Sequence, residues 1–120
     1  MLNLDTHIVV ALLDGSLKRS EHNLILSDTL AISDIVLWEL AKLVELQKLE
    51  LDLDSKEFQI FVRAVTILPI TVEIARRSTE LDFRSDPADE IIAATSIVEN
   101  APLLTRDRRI LKSEIVPFAL

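Results

Sequence analysis

Four carboxylates, Asp5, Glu39, Asp89 and Asp107, are the side chains of this sequence whose types and placement suggest chemistry. Asp5 closes the apolar start Leu2-Asn3-Leu4, and Asp107 follows the apolar run that ends at Thr105. Asp89 lies just inside a helix that opens at Asp86-Pro87, and Glu39 interrupts an otherwise apolar helix. Taken singly, each has an ordinary role. Asp5 and Asp107 suit helix caps, Asp89 a positive helix end, and Glu39 a solvated stripe with Lys42 and Glu45. Independent caps have no reason, however, to gather at one edge of one sheet. Carboxylates that share a cleft repel, raise one another's pKa and destabilise the fold unless a cation relieves them. Hard, oxygen-liganded Mg²⁺ or Mn²⁺ is the natural occupant, because the chain has no Cys and only two His. An all-carboxylate centre points to phosphoryl chemistry, in which metal orients a water and stabilises charge on phosphate oxygens.

Those residues must be positioned by short strands and helices in alternation. Leu2 to Leu4 reads as a first strand, Thr6 to Leu13 as a helix stopped by Asp14-Gly15, and Ser20 to Leu26 as a second short helix. Thr29 to Ile32 reads as a strand, followed from Asp34 by an apolar helix through Ile35, Val36, Trp38, Leu40, Leu43, Val44 and Leu46. Asp54-Ser55 caps a helix carrying Phe58, Phe61 and Val62, a strand runs from Val65 to Leu68, and Thr71 caps a helix to about Leu81. Asp86 at the N-cap and Pro87 at the first helical position open a further helix. Its face is Ile91, Ile92, Thr95 and Val98, and Asn100 before Pro102 ends it. Leu103 to Thr105, a short helix from Asp107 to Lys112, and a last strand at Ile115-Val116 complete the chain. Such alternation predicts βαβ units, and therefore an α/β fold with a short, mostly parallel sheet of four to five strands between helical layers. In these sheets, sites form beyond the carboxyl ends of strands where the strand order reverses. If the strands before Asp5 and Asp107 are central neighbours, both carboxylates share that crevice.

Composition bounds the rest. The 120 residues predict one domain, 1–120, and 49% hydrophobic with 28% charged residues predicts a globular chain. No apolar run reaches the roughly 20 residues that a membrane span needs, and Met1 to Asp5 lacks a basic leader, so a soluble, cytoplasmic protein is expected. A net charge of −7 argues against a general nucleic-acid coat, but not against an enzyme that meets phosphates through metal and a local basic patch. Gly15 is the single glycine, which excludes glycine-rich phosphate loops.

The chain resembles PIN-domain ribonucleases of the VapC type, the toxin half of bacterial toxin–antitoxin pairs. The matching segments are LDTH at Leu4 to His7, LWELAKLVELQKLEL at Leu37 to Leu51, ILPIT at Ile67 to Thr71 and SDPADEIIAATSIVENAPLLTRDRRI at Ser85 to Ile110. They span nearly the whole chain, in order. The resemblance implies a PIN-like three-layer α/β/α fold and a metal-dependent endoribonuclease, with the family's acidic quartet falling on Asp5, Glu39, Asp89 and Asp107. It implies that Thr105 supports the site through its hydroxyl and that Asp86 lends secondary support. It also implies an RNA substrate, a homodimer, and a cognate antitoxin that covers the groove, for which an acidic toxin suits a basic antitoxin segment. Departures from relatives are Ala88 in place of an aromatic, Glu90 in place of a basic residue, and Gln47 where glycine often ends a helix. Gln47 is expected to alter a turn and not the chemistry.

Among the remaining residues, Arg106, Arg108 and Arg109 form the best basic cluster and are the candidate RNA contacts, with a solvated helix face as the alternative. Ser33, at the end of a strand, either orients the metal site or caps the next helix. His7 has the chemistry of a general base but, one turn inside a helix, is expected to be packed or hydrogen-bonded, and Trp38 is expected to anchor a core or an interface. Replacing Asp5 with Ala is expected to abolish cleavage while sparing or improving the fold. The reading from another class is a phosphoacceptor or binding module of flavodoxin-like shape with Asp5 or Asp107 as acceptor. It is weakened by the lone acidic residue after the first strand.

Overall fold

The computed structural model describes Met1 to Ala119. Four short apolar segments form one all-parallel sheet: β1 (Leu2–Leu4), β2 (Leu30–Ser33), β3 (Thr66–Leu68) and β4 (Leu103–Leu104), in the order β3-β2-β1-β4. The helices are α1 (Thr6–Asp14), α2 (Arg19–Leu26), α3 (Ile35–Glu45), α4 (Lys56–Ala64), α5 (Val72–Arg77), α6 (Pro87–Glu99) and α7 (Arg108–Leu111). The chain runs outward from β1 to β3, then returns through α5 and α6 to lay β4 on the other side of β1. Right-handed crossovers place the outward and returning helices on opposite faces. The order reverses between β1 and β4, whose carboxyl ends therefore diverge to leave a crevice.

Residues that face both layers make the core, among them Leu4, Ile8, Ile32, Val36, Leu40, Ile92, Leu104 and Ile110, all fully buried. Asn3 is the buried polar exception on β1: its amide donates to the Ile92 carbonyl (3.2 Å) and to Ser96 Oγ (2.9 Å), tying β1 to α6. Burial on α6 is wider than one stripe. Ala88, Ala93, Ala94 and Ser96 are buried beside Ile92 and Thr95, while Ile91 and Val98 are only partly covered. The small side chains are what permit packing on several sides.

Two expectations are corrected. Ile115-Val116 is not a strand, because Ser113 Oγ accepts both of their N–H groups (3.2 and 3.1 Å) and turns the chain. Pairing with β4 falls later, as an isolated bridge between Leu103 and Phe118. β4 is accordingly a neighbour of β1 but not a central strand. Trp38, expected as a core or interface anchor, is 55% exposed, which leaves the interface alternative.

Gln47 follows α3 with φ of +58°, the left-handed conformation that glycine adopts freely. Because it is exposed, Gln47→Gly should raise stability by about 0.5 kcal/mol in urea titration, strain relief exceeding the added unfolded-state entropy. A loss of stability would show that this turn is not strained.

Candidate active site

Each candidate carboxylate leaves a different element, and local chemistry explains each placement. Asp5 follows β1 as the N-cap of α1, with Oδ1 accepting the Thr6 N–H (2.8 Å). Only 1% exposed, it receives the Thr105 hydroxyl on Oδ2 (2.5 Å), with His7 Nε2 3.3 Å from the same oxygen. Glu39 projects from α3 and accepts the Thr6 hydroxyl. Asp89, in the first turn of α6, accepts the Ser85 hydroxyl (2.8 Å). Asp107 follows β4 as the N-cap of α7, and its Oδ1 accepts the N–H groups of Arg109 (2.8 Å) and Ile110 (3.1 Å).

Asp5, Glu39 and Asp89 line one pocket with Thr6, His7, Val10 and Leu43. Burial pushes the Glu39 carboxyl above its ordinary range against the Thr6 hydrogen bond, and the charges of Asp89 and Asp5 add to the rise. Burial likewise raises Asp89 against the Ser85 hydrogen bond, helped by the charges of Asp5, Asp107 and Asp86. Mutual repulsion thus links all four acids electrostatically, although Asp107 does not itself line the pocket.

This donor set fits a hard divalent cation in its chemistry. One oxygen each of Glu39, Asp89 and Asp107 is held by a protein donor, and the other receives no hydrogen bond from a described residue. Such half-satisfied carboxylates, crowded enough to raise one another's pKa, are what Mg²⁺ or Mn²⁺ relieves. In these side-chain positions, no three His, Asp or Glu among the described residues form a ready metal cluster. In the same positions the hydroxyls of Thr6, Thr105 and Ser85 each hold one carboxylate, Glu39, Asp5 and Asp89 respectively.

The supporting residues divide. Thr105 meets Asp5 directly, and its Oγ1 also accepts the Asp107 N–H (3.0 Å). Ser33 is buried and its Oγ accepts the Ile35 N–H (3.3 Å), the helix-capping role. Asp86 occupies the N-cap position of α6 without any side-chain cap bond, so Pro87 and the Glu90 N–H to Asp86 carbonyl bond (3.1 Å) set the start of that helix. Arg108 and Arg109 are exposed beside Asp107. Arg106 is not a free cation: its guanidinium is paired with Glu21. His7 is not packed in the core, its side chain being 45% exposed at the pocket. Thr6 and Ser85 were not singled out from sequence. The one available signal was adjacency, Thr6 following Asp5 and Ser85 opening the segment that holds Asp89.

Comparison with known proteins follows the same lines. The PIN domain family matches residues 3–114. Ribonuclease VapC22 of Mycobacterium tuberculosis (strain ATCC 25618 / H37Rv) is 34% identical over 87 residues, covering 70% of this chain and 67% of the relative. Among solved structures, VapBC2 from Rickettsia felis bound to a promoter DNA fragment superposes with a TM-score of 0.74 at 25% identity, over 98% of this chain and 97% of that one. A toxin–antitoxin complex from Klebsiella pneumoniae gives 0.71 at 22% identity, over 93% and 91% of the two chains.

Proposed function

The chain belongs to the PIN-domain family, and on that premise we propose that it is a VapC-type ribonuclease, the toxin of a toxin–antitoxin pair, hydrolysing RNA phosphodiester bonds at the carboxylate cleft. The observation that carries this reading is the meeting of Asp5, Glu39 and Asp89 in one pocket at the switch point of a parallel sheet, with Asp107 at the end of the adjoining strand. Asp5, Glu39, Asp89 and Asp107 would hold Mg²⁺ or Mn²⁺, which when bound supplies Lewis acidity at the phosphate and an activated water. Thr105 and Thr6 keep the Asp5 and Glu39 carboxylates oriented, and Ser85 does the same for Asp89. Orientation of this kind reduces the reorganisation that would otherwise accompany reaction. Arg108 and Arg109, exposed next to Asp107 in the chain, are candidate cations for RNA phosphates in a chain of net charge −7.

Two surfaces support the partner readings. A groove of about 400 Å³ beside α3 and α4, lined by Leu37, Leu53, Phe58 and Val62, offers an apolar seat for an antitoxin segment. Trp38, Ile60 and Val72 are 55%, 66% and 75% exposed and provide apolar area for the antitoxin or for a second copy in a homodimer. Among the described residues no helix is long and apolar enough to cross a membrane.

The test is incubation of the purified protein with tRNA, ribosomal RNA and synthetic single strands in Mn²⁺, Mg²⁺ or EDTA. Cutting that requires the cation is expected. No cutting across the panel, together with no thermal stabilisation by Mn²⁺, would overturn the assignment. In the same assay, Arg108→Ala combined with Arg109→Ala should raise KM several-fold with kcat little changed, since phosphate contacts act on binding. An unchanged KM would remove both from the RNA path.

A further inference from the structure

β4 is only two residues long, and the chain leaves the sheet immediately after it, so strand pairing alone holds the following loop weakly. Yet Thr105-Arg106-Asp107 must be held accurately. Thr105 delivers its hydroxyl to Asp5, and Asp107 acts electrostatically on Asp89. The backbone anchor nearest the site is the Asp5 N–H to Leu104 carbonyl bond of 3.1 Å, which ends before the loop begins.

Within the loop the Arg106 N–H reaches His7 Nε2 only at 3.5 Å, and the stronger anchor comes from the Arg106 side chain. Arg106 Nε donates to Glu21 Oε2 (2.7 Å), and Nη2 donates to Glu21 Oε1 (2.6 Å) and to the Ser16 carbonyl (3.3 Å). A two-pronged guanidinium–carboxylate contact fixes orientation as well as distance, which a single lysine contact does not. Glu21 is itself immobilised: it is 2% exposed, sits on α2, and also accepts the Lys18 N–H (2.8 Å). It does not line the carboxylate pocket. The pair therefore clamps the loop from behind, while Thr105 on one side of Arg106 meets Asp5 and Asp107 on the other side donates its N–H to Thr105 Oγ1.

We propose that Glu21 and Arg106 are a positioning pair for the carboxylate centre, holding the β4–α7 loop so that the Thr105 hydroxyl meets Asp5 and Asp107 stays beside the cleft. Arg106 then serves the site through Thr105 and Asp107 and not through RNA, and α2, otherwise remote from the pocket, becomes part of the catalytic apparatus. This inference rests on the ribonuclease reading for its kinetic consequence, and on the fold alone for its effect on cation binding.

The experiment compares wild type with Glu21→Gln, Arg106→Ala, Arg106→Lys and the Glu21→Gln/Arg106→Ala double variant. All are assayed below their melting temperatures, for kcat and KM on a single-stranded RNA and for the Mn²⁺ concentration that gives half-maximal thermal stabilisation. Partners that orient metal-binding groups typically matter by 10- to 100-fold. About tenfold lower kcat with KM within about twofold is therefore expected in Glu21→Gln and Arg106→Ala, with a Mn²⁺ midpoint about tenfold higher. Arg106→Lys should recover only part, and the double variant should be no worse than the poorer single one, because both changes break one contact. If Arg106→Ala does not fold, Glu21→Gln and Arg106→Lys carry the same comparison. A raised KM with intact kcat in the Arg106 variants, with Glu21→Gln silent, would overturn the proposal by placing Arg106 on RNA. Wild-type values in every folded variant would overturn it as well. If wild type cuts no RNA, the ribonuclease reading fails by itself and the Mn²⁺ midpoints still decide: weakened binding in Glu21→Gln upholds the pair, and unchanged or absent binding overturns it.

Discussion

Asp5→Asn should lower kcat/KM for RNA by about 10² to 10³-fold, the scale on which a single well-placed electrostatic group acts at a reaction centre. Asn keeps the shape and a side-chain oxygen. Its oxygen still accepts the Thr6 N–H, while its amide nitrogen replaces the oxygen that faces Thr105, whose hydroxyl turns to accept, so the main change is loss of the charge in the pocket. Thermal unfolding of this variant should differ little from wild type, since relief of repulsion on Glu39 and Asp89 offsets a weaker hydrogen bond. Asp5→Ala is a different case. Charge alone suggests that it spares the fold, but Asp5 is buried and accepts two hydrogen bonds, one of them the cap of α1. Leaving those donors unmet costs about 1–3 kcal/mol, so the alanine variant should be both inactive and less stable. Retained cation-dependent cleavage in the folded Asp5→Asn variant would remove Asp5 from the catalytic set.

Stability against pH should pass through a maximum on the acid side of neutrality when EDTA is present. Glu39 and Asp89 have raised pKa values in the folded state, so each adds stability that is complete below its unfolded value, 4.5 for Glu39 and 3.8 for Asp89, and is lost as pH rises through the folded value. Glu21 has the opposite sign. The Arg106 hydrogen bond, against the cost of burial, holds its carboxyl down at about 2. Its contribution, on the order of 3 kcal/mol for this buried group, is present above 4.5 and is lost as pH falls through about 2. The two trends cross at about pH 4 to 5, where the curve should peak. Mn²⁺ or Mg²⁺ should then stabilise strongly at pH 7.5 and little at pH 4.5, because cation and protons compete for the same carboxylates. Urea titrations across pH, with and without the cation, measure both arms. Stability that climbs steadily from pH 5 to 8 in EDTA would contradict the crowding of Glu39 and Asp89.

What the sequence made legible follows from local physics, and what it hid depends on distance. The alternation of apolar runs and capped helices was sufficient for an α/β fold with a parallel sheet, and all four sheet strands fall on those runs. The isolated bridge at Phe118 was hidden because a single serine, Ser113, captures the N–H groups that would have paired earlier. For Trp38 the choice between core and interface was open, because hydrophobicity gives the content of a helix but not which side finds a partner, and its exposure leaves the interface. At the site, the acids themselves were conspicuous through their positions at element ends. Their hydroxyl partners were not, since Thr6 and Ser85 are of types that occur everywhere. Arg106 invited an RNA role because its true partner, Glu21, lies 85 residues away in the chain.

That remoteness governs when the site comes into being during synthesis. β1 finds β2 early, its pairing partner being nearby in sequence, but the Thr105 to Asp5 contact spans 100 residues. Contacts across long loops form late, after their closure entropy has been met by other structure. A nascent chain still holding Thr105 and Asp107 inside the ribosomal exit tunnel therefore has β1, α3 and part of the cleft, but no assembled centre. The order of residues along the chain itself delays assembly of the carboxylate centre until Thr105 and Asp107 have emerged.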